Sequence, residues 1–416
     1  MPQSVSLIQN NWISGELSPL MEGRVDSPRY QTGLRLCQNL LPDRKGCLKK
    51  RPGTYYAGTT YNNTKARLLE MNGTDGLPYI VELTPSRARI WDSSHSMVAT
   101  VTGLPYSASD LPDIKYASQS GVLYLVHHSY PPRTITGATT SWTTIAPPFT
   151  GDRTFASTGN YPSVVFFFSG RLGFSGTDNE PTAMFLSQSP LASAGTTRFT
   201  SFDFMVGATV ASDDAIYLLE ADQSKVLWAI GSQRLVAGTR RSIWMDTGQG
   251  VTPAYFDMAI TSYTGASEPQ AVMSENLTLY VGRGGKSLHA IYWDTTSESF
   301  QDIDISQDAE HFLNSPIIDM KVQNFPEPTI WLVRTDGLLV SCSLNLQTGM
   351  VAWARHPMGG SAVVESIAMS YGTTQDVLWL SVLRGTTRTM EYLLPIDVET
   401  TAQEDFHYVD CGLSLT

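Results

Sequence analysis

The stretch at residues 280–287, "YVGRGGKS", has the outline of a phosphate-binding loop. Such a loop needs its first glycine where Tyr280 stands and a helix to follow. "LHAIYW" follows and alternates like a strand, so the stretch reads as a glycine-rich hairpin turn. His127 and His128 are adjacent on a predicted strand. Successive strand side chains point to opposite faces, so this pair is not expected to share a metal. The acidic run at residues 302–311, "DIDISQDAEH", lacks the ligand alternation, central glycine and closing glutamate of a calcium loop and reads as solvated. Cys37, Cys47, Cys342 and Cys411 show no CxxC spacing, which excludes zinc ribbons and thioredoxin-like motifs. They read as inert thiols, with a Cys37–Cys47 disulfide as the alternative. The nucleophile elbow G-x-S-x-G and the Ser-x-Asp-x-Gly-x-Thr-Trp turn of sialidases are absent. No catalytic residue, metal ligand or cofactor is expected, and the chain reads as a non-enzyme.

The elements available to position any site are short strands. Units of alternating apolar residues with a turn on Gly, Pro or Asp begin at residues 79, 122, 164, 226, 277, 330 and 377. Their spacing, roughly 40–60 residues, is that of propeller blades. Two Trp-Asp pairs, Trp91-Asp92 and Trp293-Asp294, match the dipeptide of repeat propellers but lack its upstream Gly-His. The expectation is an all-β fold, a β-propeller of about six to eight blades over residues 67–394. A pair of β-sandwiches is the alternative. Residues 1–66 read as an irregular N-terminal arm, and residues 395–416 as a short C-terminal segment.

The chain has 416 residues, 42% of them hydrophobic, enough for a sizeable core. Only 16% are charged, against about 25% in a typical soluble domain, which suggests that much surface is covered by other subunits. With 28 basic and 39 acidic residues the net charge is −11, unsuited to a dedicated phosphate binder. The start lacks a basic-then-apolar leader. No apolar run approaches the roughly 20 residues that span a bilayer, so membrane insertion is not expected. Arg44, Lys45, Lys49, Lys50 and Arg51 form a basic segment, read either as a solvated loop or as a contact for an acidic neighbour or DNA phosphate.

The arm carries a pattern of its own. "NWISGELSPLMEGRVDSPRYQTGLRLCQNLLPDRKGCLKKRPGTYY", residues 11–56, resembles the N-terminus of the tail tubular protein B family, the nozzle proteins of short-tailed bacteriophages. The matching pieces are Gly15-Glu16-Leu17-Ser18-Pro19, Gly23-Arg24-Val25-Asp26, Tyr30, Gly33-Leu34, Asn39, Gly46 and Arg51-Pro52-Gly53-Thr54. Similar segments continue in order downstream, including "FFFSGRLGFSGT" around Arg171-Leu172, "IWLVRTDGLLVSCSL" and "VAWARHPMGG".

The resemblance implies a propeller held by a small platform, to which residues 1–66 and 395–416 both belong. It further implies a homohexameric ring on the tail adaptor protein, tail fibres as a further partner, and double-stranded DNA that transits without specific binding. The location implied is the short tail of the virion, assembled in the host cytoplasm. The expected assembly interface is Glu16, Leu17, Pro19, Arg24, Asp26, Tyr30 and Arg51. Family members usually continue beyond the strand resembling "FHYVDCGLSL", so the expectation is either a compact platform or one that lacks its C-terminal portion. The rival function is a carbohydrate-binding or glycan-hydrolysing propeller at the host surface, with Trp142, Trp228 and Trp244 as candidate stacking surfaces.

Overall fold

The computed structural model describes residues 9–189, 199–205, 209–219, 224–345, 348–394, 396 and 402–412. Strands Arg67–Asn72, Pro78–Thr84, Arg87–Trp91 and Met97–Thr102 form an antiparallel meander in sequence order. Four-stranded sheets recur at residues 115–145, 164–219, 226–262 and 272–304. A sixth, at residues 317–356, gains two short parallel strands from the arm, Gly15–Glu16 and Gly33–Leu34, on its outer edge. The seventh takes three strands from residues 363–393 and its fourth, Tyr55–Thr59, from near the start of the chain.

Strand alternation dictates how these sheets pack. Leu68 and Ile80 face Ala368, Trp379 and Met390 of the seventh sheet. Their neighbours Leu69 and Val81 face Leu123, Leu125 and Ile135 of the second. Ile330 and Leu332 meet Leu279 and Val281 of the fifth sheet, whereas Trp331 and Val333 meet Ile367 and Leu380 of the seventh. Each of the seven apolar clusters occupies one junction between neighbouring sheets. Sheets that bury both faces against neighbours must close into a ring, and the fold is a β-propeller of seven blades. Each of the seven units read from the sequence lies in its own blade, and the two-sandwich alternative is overturned by seven separate sheets of four or more strands among the described residues.

Ring closure is made by pairing Tyr55–Thr59 antiparallel with Thr387–Leu393, in the register Tyr392↔Tyr55 and Thr389↔Thr59. This covers an edge that would otherwise offer unpaired backbone groups to another chain. Residues 55–59, grouped with the arm from sequence, are therefore part of the ring.

Candidate assembly surface

The arm is fixed to blade six around Glu16. Gly15 pairs with Trp353 at φ +59°, and a Cβ there would lie 2.5 Å from Trp353 N. Only glycine lets the backbone approach this closely in the left-handed region. The next residue, Glu16, is 1% exposed. Its Oε2 accepts the Cys37 N–H at 2.7 Å and Arg355 Nε at 3.2 Å, and its Oε1 takes His311 Nε2 at 2.9 Å. Burial alone would raise this carboxyl; hydrogen bonds from His311, Cys37 N–H and Arg355 outweigh it and hold the group below its ordinary range. Burial, with the Glu16 charge nearby, pushes the Cys37 thiol up to about 12. Ser18 caps the short turn Pro19–Met21 by accepting Leu20 N–H at 3.1 Å, and donates to Glu310 at 2.6 Å.

A second polar clasp is built on Arg51, which is 5% exposed. Its guanidinium reaches Asp410 at 2.8 Å, the Pro52 carbonyl at 2.7 Å and Asn39 Oδ1 at 3.2 Å. A Cβ on Gly53 would lie 2.2 Å from the Val409 carbonyl, so the chain passes the C-terminal segment at backbone distance. Gly53 N–H donates to His407 O, Gly412 N–H to Thr54 O, and Tyr56 N–H to Gly412 O. Residues 51–56 and 407–412 are thus laid along each other beside blade seven.

Among the seven residues expected at an assembly interface, Glu16, Leu17 and Arg51 are turned inside the chain. A fully buried carboxylate with three partners has nothing left to offer another subunit, so the role of these residues is to hold the arm. Arg24 and Asp26 pair with each other through two hydrogen bonds of 2.8 Å while staying exposed. Pro19 and Tyr30 are also exposed, beside Leu20 at 84%, Val25 at 71% and Leu36 at 55% exposure. Pro19, Tyr30 and Leu36 border a cleft of about 620 Å³ between arm and blade, lined also by Leu17, Met21 and Leu34 with Glu16 and Arg355 at its polar end. Three of the five basic residues are paired within the chain, Arg44 with Glu275, Lys49 with Asp43 and Glu327, and Arg51 with Asp410, while Lys50 lies 4.2 Å from the centre of the Tyr408 ring.

The propeller axis is closed by its own side chains. Gln270, preceding blade five, donates to the Tyr116 carbonyl of blade two at 3.0 Å and accepts Tyr116 N–H at 3.3 Å. Lys321 of blade six contacts Glu70 of blade one at 2.8 Å and the Tyr116 hydroxyl. Lys115 reaches the Glu268 carbonyl, and burial lowers its ammonium to about 8. Blades two and five, or two and six, are not neighbours, so these contacts span the axis. A nucleic-acid duplex cannot pass through it.

Other sequence candidates resolve differently. "YVGRGGKS" is the hairpin between strands Leu277–Val281 and Leu288–Asp294, as expected. The run at 302–311 is not a solvated loop. Asp302 is 7% exposed in its side chain and takes hydrogen bonds from Tyr280 and Thr264 beside His289, and Ala309 packs in the core. Burial would raise Asp302, but His289, Ser262, Tyr280 and Thr264 bring it down to about 2. His127 and His128 do not point apart: a register shift lies between Leu125 and His127, the strand ends at His127, and the two rings sit 4.5 Å apart. Trp228 and Trp244 are buried between blades, which removes them as sugar-stacking surfaces, whereas Trp142 is half-buried in a T-shaped contact with Tyr79. Cys37 and Cys47 are both free thiols.

No family model matches the chain, and none of the curated proteins matches it. Solved structures do. The WD40 repeats of RRP9 are 11% identical, with a TM-score of 0.52 over 83% of this chain and 98% of that one. U3-55K is 11% identical, with a TM-score of 0.51 over 82% and 100%. Raptor from Chaetomium thermophilum is 10% identical at a TM-score of 0.52; the match takes in 83% of this chain and 29% of Raptor. Likeness at such identity defines the β-propeller fold and leaves activity to be argued from the residues.

Proposed function

We propose that the chain is a nozzle subunit of a short phage tail, a structural protein that forms a ring of six copies on the tail adaptor and encloses the path of the ejected genome. The observation that carries this reading is the arm. The pieces that resemble the nozzle family, Gly15-Glu16-Leu17-Ser18-Pro19 and Arg51-Pro52-Gly53-Thr54, are the ones that pin the arm and the C-terminal segment beside blades six and seven. So pinned, the arm holds Leu20, Val25 and Leu36 outward, where a neighbouring subunit can cover them. A contact between two different patches, repeated by rotation, closes a ring.

The closed axis of the propeller requires the DNA to run between subunits rather than through one. A wall for that path must not grip phosphate, since each neutralising Lys or Arg adds salt-sensitive affinity. The acidic balance of the chain and the internal pairing of its basic segment fit such a wall. Mixing the chain with its adaptor ring tests the proposal by mass photometry and negative-stain imaging. Six-fold rings with an open centre are expected, together with negligible retention of duplex DNA at physiological salt. Absence of any ring across the concentration range, with adaptor present, would sink it.

A further inference from the structure

We propose that Asp113, His127 and His128 of blade two form a site for a divalent transition-metal cation of the zinc class. Asp113 ends the short turn Leu111–Asp113 that leads into the inner strand, and His127 ends the second strand, Val122–His127. The shift in register before His127 and the turn that follows bring both imidazoles to the same end of the blade as Asp113. One nitrogen from each ring and one carboxylate oxygen lie within 4.8 Å of one another. Tetrahedral ligand sets for zinc draw on imidazole nitrogens and carboxylate oxygens, and two imidazoles with one carboxylate leave a fourth position for water.

A second observation points the same way. His127 is 2% exposed, and its Nε2 has no hydrogen-bond partner; the neighbouring Tyr106 hydroxyl is buried and unpaired as well. Buried polar atoms without partners are uncommon and mark a place where water or an ion belongs. Ser129 supplies the only donors to these rings among the described residues, its N–H to His127 Nδ1 and its hydroxyl beside His128 Nδ1, both at 3.1 Å. With Nδ1 accepting, the proton of a neutral His127 sits on Nε2, so ligation through either nitrogen requires release of the Ser129 N–H. The site does not depend on the nozzle reading.

The test uses the untagged full-length chain titrated with zinc against a chromophoric chelator. One equivalent is expected to bind. Asp113→Asn and His128→Ala should each weaken binding by at least about 10-fold, with unchanged unfolding midpoints because both residues are exposed. Cobalt(II) should give a visible ligand-field band that disappears in His128→Ala. Failure of the unaltered chain to bind zinc would overturn the proposal. So would unchanged zinc affinity in a variant combining Asp113→Asn with His128→Ala, which would put the metal elsewhere on the protein.

Discussion

The ring and the arm are held by different physics. Between blades, large apolar side chains such as Trp228, Trp331 and Trp379 are sealed on both sides, and every blade relies on two neighbours. The arm buries little of its own apolar surface. It is held by two ionised groups, Glu16 and Arg51, each with several partners, among them Arg355 and His311 for Glu16 and Asp410 for Arg51 from the far part of the chain. Apolar contacts are undirected and tolerate small shifts. Buried charged hydrogen bonds are directional, and a lost partner leaves an expensive orphan. The ring should therefore unfold as a unit, whereas the arm should be separable from it by a single change.

The largest effect should come from the ring. Trp379→Ala empties space between blades seven and one, where Trp379 is 1% exposed against Trp91, and should cost about 3–5 kcal/mol. Thermal unfolding should stay one cooperative transition at a lower midpoint. A separate early transition confined to one blade would show that the junctions are not coupled.

Breaking the clasp should have a smaller and local effect. Glu16→Ala leaves Arg355 and His311 without their carboxylate and should weaken arm docking by about 2–3 kcal/mol. Protease cuts and amide exchange should appear within residues 17–36 while the main transition hardly moves. A fall in that transition as large as the Trp379→Ala effect would erase the distinction between arm and ring. Acid should mimic the mutation. Because the folded Glu16 carboxyl lies below its ordinary value, its contribution is complete above that value and is lost as pH falls through the carboxylate range. The arm should open in acid, and the Glu16→Ala protein should lack that step.

The smallest effect is expected at the exposed end of the arm. Arg24 and Asp26 pair in full contact with solvent. Exposed pairs add little to stability, so Arg24→Ala should leave the isolated chain's unfolding unchanged. A loss of ring formation with the adaptor in the same variant would assign the pair to assembly. A drop in the unfolding midpoint would assign it to the fold instead.

Much of this was legible in the amino-acid sequence, because the strand period of two is local. Seven alternating units, read as a propeller of about six to eight blades, each fall in one of the seven blades, and Gly, Pro and Asp mark their turns. The motif around Glu16 and Arg51 was visible too, but its use was not. Those side chains look like free surface charges until Arg355, His311 and Asp410 are brought to them from the far end of the chain. Alternation also misplaced His128, because it holds only while a strand runs regularly and here a register shift and a turn intervene.

Sequence alone thus determined the hairpins of the blades, since propensity and period act over a few residues, but not the short strands of the arm. Only the tertiary structure decided which strand closes the ring, which charges are buried, and that Gln270, Tyr116 and Lys321 block the axis. Those outcomes depend on residues that are far apart along the chain, and their proximity comes from closing seven sheets around one centre.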